Sequence, residues 1–129
     1  MMDVEGAASA ASVAGTEGTE VVTVTDADFD AVVRGSRLPV LVEFTADWCG
    51  PCRQLAPVLD AVAREEAGRV RIVRVDVDTN PATAAQYAVL SMPTLMVFRD
   101  GEPVASMVGA RPKRRLLQEL REAGAVVAP

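Results

Sequence analysis

Histidine is absent from this 129-residue chain, and cysteine occurs only twice. Histidine is the commonest metal ligand and general base in proteins, so any such role must fall to other residues. Two cysteines without histidine cannot supply the four ligands of a zinc site within one chain, which leaves only zinc shared between two chains. Two cysteines are also too few for the disulfide framework of a small secreted domain.

Long apolar runs and excess positive charge are missing as well. No stretch reaches the roughly 20 apolar residues of a membrane-spanning helix. The formal net charge is −5, so the chain has no general attraction to nucleic acid or anionic membranes. Residues 1–20 have neither the basic start and apolar centre of a secretory signal nor the arginines of a transit peptide. We expect these residues to be a disordered low-complexity extension, and the chain to be cytoplasmic.

Both cysteines lie in the segment Trp48-Cys49-Gly50-Pro51-Cys52. If a helix begins at Cys49, Cys52 lies one turn later on the same face, with Cα atoms about 5–6 Å apart, where a disulfide closes with little strain. The Cys49 sulfur would then lie at the helix N-terminus, where the dipole and free N–H groups stabilise a thiolate. The spacing predicts a pair that cycles between dithiol and disulfide. A structural disulfide is the alternative, although so short a loop constrains the unfolded chain little.

Strand and helix patterns alternate along residues 21–125, which we interpret as one domain, with residues 126–129 as a short tail. Thr25 is expected to cap a first helix that ends at Gly35. The apolar run 38–45, interrupted by Glu43, predicts a central strand covered on both faces. The further predictions are a helix over 49–66, a strand over 69–77, a helix from Pro81 to near Val89, strands over 94–99 and 104–108 joined at Asp100-Gly101, and a helix opened by Arg111-Pro112. The order β-α-β-α-β-α-β-β-α predicts an α/β fold in which helices cover both faces of a mixed sheet.

Several separate segments resemble the thioredoxin family. They are residues 41–53 (LVEFTADWCGPCR, the active-site strand and turn), Ala56-Pro57 (the kinked active-site helix), residues 75–81 (VDVDTNP, the next strand and its exit), Ser91-Met92-Pro93-Thr94 (the cis-proline loop), residues 98–102 (FRDGE, the hairpin) and Val108-Gly109-Ala110 (the glycine after the last strand). The resemblance covers about residues 20–125 and implies the thioredoxin fold. It also implies a general protein-disulfide reductase without bound cofactor or metal. Its partners would be disulfide-containing proteins and an NADPH-dependent thioredoxin reductase as electron donor, and we expect a monomer.

The two cysteines have different expected roles. Cys49, at the helix start and expected to lie nearer solvent, would attack a substrate disulfide as a thiolate and form a mixed disulfide. Cys52, expected to be more buried, would then attack that intermediate and release the reduced substrate.

Glu43 is the candidate base for the Cys52 proton. The resemblance implies a buried carboxylate here, usually Asp in the family, and desolvation would raise its pKa. The alternative is that Glu43 reaches solvent at the end of the strand. Arg74, where the family usually carries Lys, is either the partner of this carboxylate or a solvated charge.

Pro93 and Trp48 are expected to shape the substrate surface. The resemblance implies a cis Met92–Pro93 peptide beside the sulfurs, with an ordinary trans proline as the alternative. Trp48 would shield the thiolate and offer substrate a flat apolar face, unless it serves only packing. Thr45 stands where the family commonly has an aromatic residue. The residues expected to contact substrate are Trp48, Gly50, Pro51, Met92, Pro93, Thr94 and Gly109.

Two other functions stay open. An oxidase or isomerase on the same fold usually carries a histidine between its cysteines, where this chain has Gly50-Pro51. A non-catalytic binding module is the second alternative, because fold alone does not fix function. The basic cluster of Lys113, Arg114 and Arg115 is interpreted as a solvated helix face.

Overall fold

The computed structural model describes residues 19–126 of the chain. The expectations for residues 1–18 and 127–129 lie outside the described residues. The elements in chain order are β1 (Val22–Thr23), α1 (Asp30–Arg34, with π-type hydrogen bonding), β2 (Val40–Thr45), α2 (Gly50–Glu65), β3 (Arg71–Asp76), α3 (Pro81–Gln86), β4 (Thr94–Arg99), β5 (Glu102–Val108) and α4 (Lys113–Glu122). The predicted order of strands and helices is confirmed.

Within residues 19–126 the strands form one mixed sheet, in the order β1-β3-β2-β4-β5. β3 pairs in parallel with both β1 and β2, while β4 is antiparallel to β2 and to β5. β2 is therefore the middle strand and has a partner along each edge. The two crossovers between parallel strands pass through α1 and α2, as the alternating pattern predicted.

Helices cover both faces of this sheet, and the side chains of β2 alternate between them. On one face, residues of α2 and α4 pack on the sheet; they include Leu55, Leu59, Leu116, Leu120, Leu41 and Leu95. On the other face the packed residues include Phe29, Val33, Ala84, Val42, Phe44 and Phe98. The expectation of a central strand covered on both faces is therefore confirmed.

The first helix is shorter than predicted, and Thr25 does not cap it. The N–H and the hydroxyl of Thr25 both donate to Asp28 Oδ1, at 2.7 and 3.0 Å, before α1 begins. The neighbouring Asp26 accepts hydrogen bonds at the N-terminus of α3 from the backbone N–H (2.9 Å) and hydroxyl (2.6 Å) of Thr83. The Thr83 hydroxyl and backbone hydrogen bonds lower the pKa of Asp26. A contact between distant parts of the chain has replaced the local capping pattern.

Helix α3 ends at Gln86, earlier than the predicted end near Val89. Ala88 adopts a left-handed conformation with φ of 56°. The N–H of Val89 donates to the carbonyl of Ala84 at 2.9 Å, a wider turn than an α-helix allows. This ending turns the chain toward residues 91–93, and it places an alanine in a conformation that favours glycine.

We expect Ala88→Gly to raise the free energy of unfolding by about 0.5 kcal/mol. The left-handed conformation costs alanine roughly 1–2 kcal/mol, and the greater freedom of glycine in the unfolded chain offsets about 0.5–1 kcal/mol of that gain. Ala85→Gly, inside the same helix, is the control and should lower stability by about 0.5–1 kcal/mol. Denaturant unfolding measures both. Equal destabilisation by the two substitutions would contradict strain at Ala88.

Candidate active site

The two cysteines lie at the start of α2, as predicted, and form a disulfide. Cys49 is the N-cap residue, and Pro51 lies in the first turn, where its missing N–H costs no helical hydrogen bond. The Cα atoms of Cys49 and Cys52 are 5.3 Å apart, within the expected range. The backbone N–H of Cys52 donates to Cys49 Sγ at 3.1 Å. A donor at the helix N-terminus thus points at the sulfur of Cys49, which favours negative charge there.

Exposure does not distinguish the two cysteines, so the expectation that Cys49 lies nearer solvent is wrong. Cys49 is 3% exposed and Cys52 is 4% exposed. Ala46 belongs to one buried cluster with the two cysteines, and Met92 packs against that cluster. The position of Cys49 at the helix start and the hydrogen bond that it accepts are what separate the two sulfurs.

The peptide bond between Met92 and Pro93 is cis, as the resemblance implied. Pro93 is buried, and Met92 packs against the cysteines, so this loop lies at the active site. The Thr94 hydroxyl donates to the Ser91 carbonyl at 2.6 Å and closes the loop. The Gly109 N–H donates to the Pro93 carbonyl at 2.9 Å. Three residues expected to contact substrate, Met92, Thr94 and Gly109, are thereby brought together.

Trp48 is 65% exposed beside Cys49. Its indole Nε1–H donates to Asp78 Oδ2 at 2.8 Å, which holds the ring from the segment that follows β3. Asp78 is held in turn, because its own N–H donates to Asp76 Oδ1 at 2.9 Å. A ring fixed at one edge and open to solvent on much of its surface does more than fill space in the core. It offers an ordered apolar surface next to Cys49.

Glu43 is buried beneath α2, with its side chain 1% exposed, so the alternative in which it reaches solvent is wrong. Arg74 lies opposite it on β3, and its Nε donates to Glu43 Oε1 at 3.1 Å. Among the described residues, Glu43 Oε2 is buried without a hydrogen-bond partner. Burial raises the pKa of Glu43, while the hydrogen bond and charge of Arg74 act in the opposite direction. The site therefore contains a carboxylate that binds a proton more readily than usual.

A cleft of about 260 Å³ lies beside this ion pair. Cys52 and Arg74 both line it, so one open space borders both the second cysteine and the arginine that bonds to Glu43. Thr45, which replaces the aromatic residue common in the family, also lines the cleft. The small side chain leaves room for solvent at this point.

Two exposed apolar residues beside the site were missed in the sequence. Leu90 is 93% exposed and precedes the loop of Ser91 and Met92, while Val108 is 60% exposed and precedes Gly109. Val108 also pairs with Thr94 across β4 and β5. In the sequence, both residues directly adjoin segments that were expected to contact substrate. That position could have predicted them, because clustered exposed apolar residues mark contact surfaces.

Within residues 19–126, no helix combines the length and the apolar character that crossing a bilayer requires. In the same part of the chain, no three acidic or cysteine side chains come together in a way that could hold a metal ion.

The family model for thioredoxin matches residues 20–122 of the chain. A thioredoxin of Streptomyces clavuligerus is 55% identical over 95 residues, which cover 74% of this chain and 88% of that protein. A thioredoxin of Haemophilus influenzae is 52% identical over 98 residues, or 76% of this chain and 92% of the relative. One of Mycobacterium bovis is 49% identical over 106 residues, or 82% of this chain and 91% of the relative.

Trp48 is the single tryptophan, so its fluorescence reports on the site alone. We expect Asp78→Ala to free the indole and lower the fluorescence anisotropy of Trp48, because the hydrogen bond that fixes the ring is lost. The rate with a protein disulfide should fall about two- to fivefold, in keeping with the small contribution of one solvent-exposed hydrogen bond. Asp47→Ala removes the same charge beside Trp48 and should leave the anisotropy unchanged. Equal anisotropy in both variants would mean that Asp78 does not order the ring.

Proposed function

The chain belongs to the thioredoxin family, and we propose that it is a general protein-disulfide reductase. Members of the family are dithiol/disulfide oxidoreductases, which act on disulfide-containing proteins and are served by a reductase, and this chain is one of them. We further propose that the reaction runs toward reduction of the substrate, that an NADPH-dependent thioredoxin reductase donates the electrons, and that Cys49, Cys52 and Glu43 have the roles described below. The observation that carries it is the Cys49–Cys52 pair at the N-terminus of α2.

In the first step, the Cys49 thiolate attacks a substrate disulfide. A bond forms between Cys49 Sγ and one substrate sulfur, the substrate disulfide breaks, and the second substrate sulfur leaves as a thiolate. The N–H of Cys52 and the N-terminus of α2 stabilise the Cys49 thiolate, which supports this choice of nucleophile.

In the second step, Cys52 attacks Cys49 Sγ in the mixed disulfide. The disulfide between Cys49 and Cys52 forms, and the second substrate thiolate is released, so two electrons have passed to the substrate. Cys52 must lose its proton for this attack. The raised pKa of Glu43, its unpartnered Oε2 and the cleft shared by Cys52 and Arg74 support a transfer of this proton through solvent to Glu43.

Substrate proteins would lie on the apolar rim around the sulfurs. Its exposed or half-buried members in this proposal are Trp48, Gly50, Pro51, Met92 and Gly109, joined by the exposed Leu90 and Val108; Pro93 and Thr94, which complete the proposed set, are buried. The cysteine pair, the proline loop and the Glu43–Arg74 pair all come from one chain, which supports a monomer as the working unit. A dithiol that donates electrons works where thiols are kept reduced, so we place the reaction in the cytoplasm.

Gly50 and Pro51 between the cysteines support the reducing direction. Without a histidine at these positions, the thiolate has less stabilisation, and the dithiol is the better reductant. A potential near that of isomerases, about −180 mV in a titration against glutathione, would favour an oxidase or isomerase instead. If Cys49→Ser kept the biological role of the protein, a binding module would be the better description.

NADPH-coupled reduction of insulin with a thioredoxin reductase tests the function. We expect turnover by the parent protein and a loss of about 10³-fold or more in Cys49→Ser, because the nucleophile is gone. Cys52→Ser should trap substrate proteins as mixed disulfides on Cys49, and the doubly substituted protein is the control that captures none. No turnover with any of several reductases, or no capture by Cys52→Ser, would contradict the assignment.

Glu43→Gln tests the proposed base with a side chain of the same shape. At pH 7 we expect release of substrate from the mixed disulfide to slow about tenfold or more, while the first attack by Cys49 changes less than about twofold. Stopped-flow rates of the two steps from pH 6 to 9 measure this effect. Equal rates of release in the parent and variant across that range would remove Glu43 from the mechanism.

The raised pKa of Glu43 also makes the stability of the parent protein depend on pH. Loss of this pH dependence in Glu43→Gln would show that the substitution acts at the intended group. A carboxyl whose pKa is raised on folding contributes stability that is complete below its unfolded pKa and is lost as pH rises through the folded value. The stability of the parent should therefore fall across this window relative to Glu43→Gln, which does not titrate.

A further inference from the structure

A buried arginine lies directly behind Gly109, at the junction of β5 and α4. The side chain of Arg111 is 3% exposed, although it adjoins the basic cluster, where the side chain of Lys113 is 42% exposed. A buried guanidinium is costly unless its N–H groups find acceptors and its charge is paired. The acceptors of Arg111 are therefore informative about its role.

Arg111 donates to two backbone carbonyls and one carboxylate. Its Nε donates to the carbonyl of Gly109 at 3.0 Å, and its Nη2 donates to that of Val108 at 2.8 Å. Its Nη1 donates to both carboxylate oxygens of Glu119, at 2.8 and 2.7 Å, so the charge is paired. The guanidinium thereby ties the backbone at the end of β5 to α4.

The two carbonyls lie where the sheet stops. The ladder between β4 and β5 ends with the pair Thr94–Val108. Gly109 follows with φ of 103°, a conformation that glycine adopts without strain. Carbonyls past the end of a ladder need another donor when they are covered by protein, and Arg111 is that donor.

The same backbone is bonded to the active-site loop. The N–H of Gly109 donates to the Pro93 carbonyl at 2.9 Å, and the carbonyl of Gly109 accepts from Arg111. A continuous hydrogen-bonded path thus joins Pro93, Gly109, Arg111 and Glu119. Gly109 is held on both sides, so its position depends on Arg111 as well as on the proline loop.

We propose that Arg111 is a positioning residue for protein substrates, whose guanidinium holds Val108 and Gly109 against the Pro93 loop. This inference rests on the proposed function, in which Gly109 and Met92 contact the substrate polypeptide. Protein disulfides need that whole surface, whereas a small disulfide needs only the sulfurs. Loss of Arg111 therefore slows the reduction of proteins and spares the reduction of small disulfides.

Arginine suits this position better than lysine. A planar guanidinium presents donors in a fixed fork, and here the fork meets two carbonyls and a carboxylate at once. A lysine ammonium can keep the ion pair with Glu119, but it cannot hold both carbonyls in a defined geometry. Arg111→Lys should therefore recover only part of the function.

The test compares insulin with free cystine as substrates of the pre-reduced full-length protein. Arg111→Met is expected to lower the rate constant with insulin about tenfold and that with cystine by less than about twofold, with Arg111→Lys between the parent and Arg111→Met on insulin. Lys113→Met is the matched control, because it removes a cation two residues from Arg111 together with the 2.7 Å ion pair that joins Lys113 of α4 to Glu65 of α2. It should leave both rates within about twofold of the parent.

Hydrogen exchange at the Gly109 amide reads the positioning directly. Exchange should be about tenfold faster in Arg111→Met and unchanged in Lys113→Met. Equal slowing with insulin and cystine, or a folded Arg111→Met that reduces insulin at the parent's rate, would overturn the proposal. If Arg111→Met does not fold, Arg111→Lys carries the same comparison. A parent protein that reduces cystine and not insulin would contradict the proposed function, before any variant is compared.

Discussion

The pairing of β2 along both of its edges is the constraint on which the rest of the site depends. Because β3 is parallel to β2, its end lies beside the end of β2, with Asp76 opposite Thr45. Because β4 is antiparallel, its start lies there too, with Thr94 opposite Phe44. β5 returns along β4 and ends at the same end of the sheet. The start of α2, the aspartate that holds Trp48, the Pro93 loop and Gly109 therefore all lie at this end of the sheet.

The Glu43–Arg74 pair lies within that framework, two residues before the last residue of β2 and of β3. Burying a carboxylate costs free energy that a single hydrogen bond from Arg74 only partly offsets, since Oε2 has no partner among the described residues. An apolar residue would stabilise the strand better. A buried ionisable side chain at this position therefore fits a role in chemistry, where a group that binds and releases a proton is required.

The sequence predicts most of the fold and about half of the detail at the site. Strand β4 has the predicted bounds, and α2 agrees within one residue at each end, because regular apolar spacing and a proline in the first turn are local signals. The failures are contacts between distant segments. Thr25 was predicted to cap the first helix, but it does not, and the neighbouring Asp26 bonds to the start of α3. Cys49 was predicted to lie nearer solvent than Cys52, but both are buried in a cluster against which Met92 packs. Arg111 looked like a helix-opening residue, and only its buried carbonyl partners distinguish it from its solvated neighbours.

The bond between Asp26 and α3 has a consequence for how the chain assembles. α3 has six residues, well below the roughly 12–15 that an isolated helix needs in water. Its first N–H groups bond to a carboxylate 57 residues earlier in the chain. The formation of this helix, and of the turn that leads from it to Pro93, thus requires the chain to lose the conformational entropy of closing a long loop. The turn that leads to Pro93 is therefore ordered in part by the docking of the segment that contains Asp26 onto the start of α3.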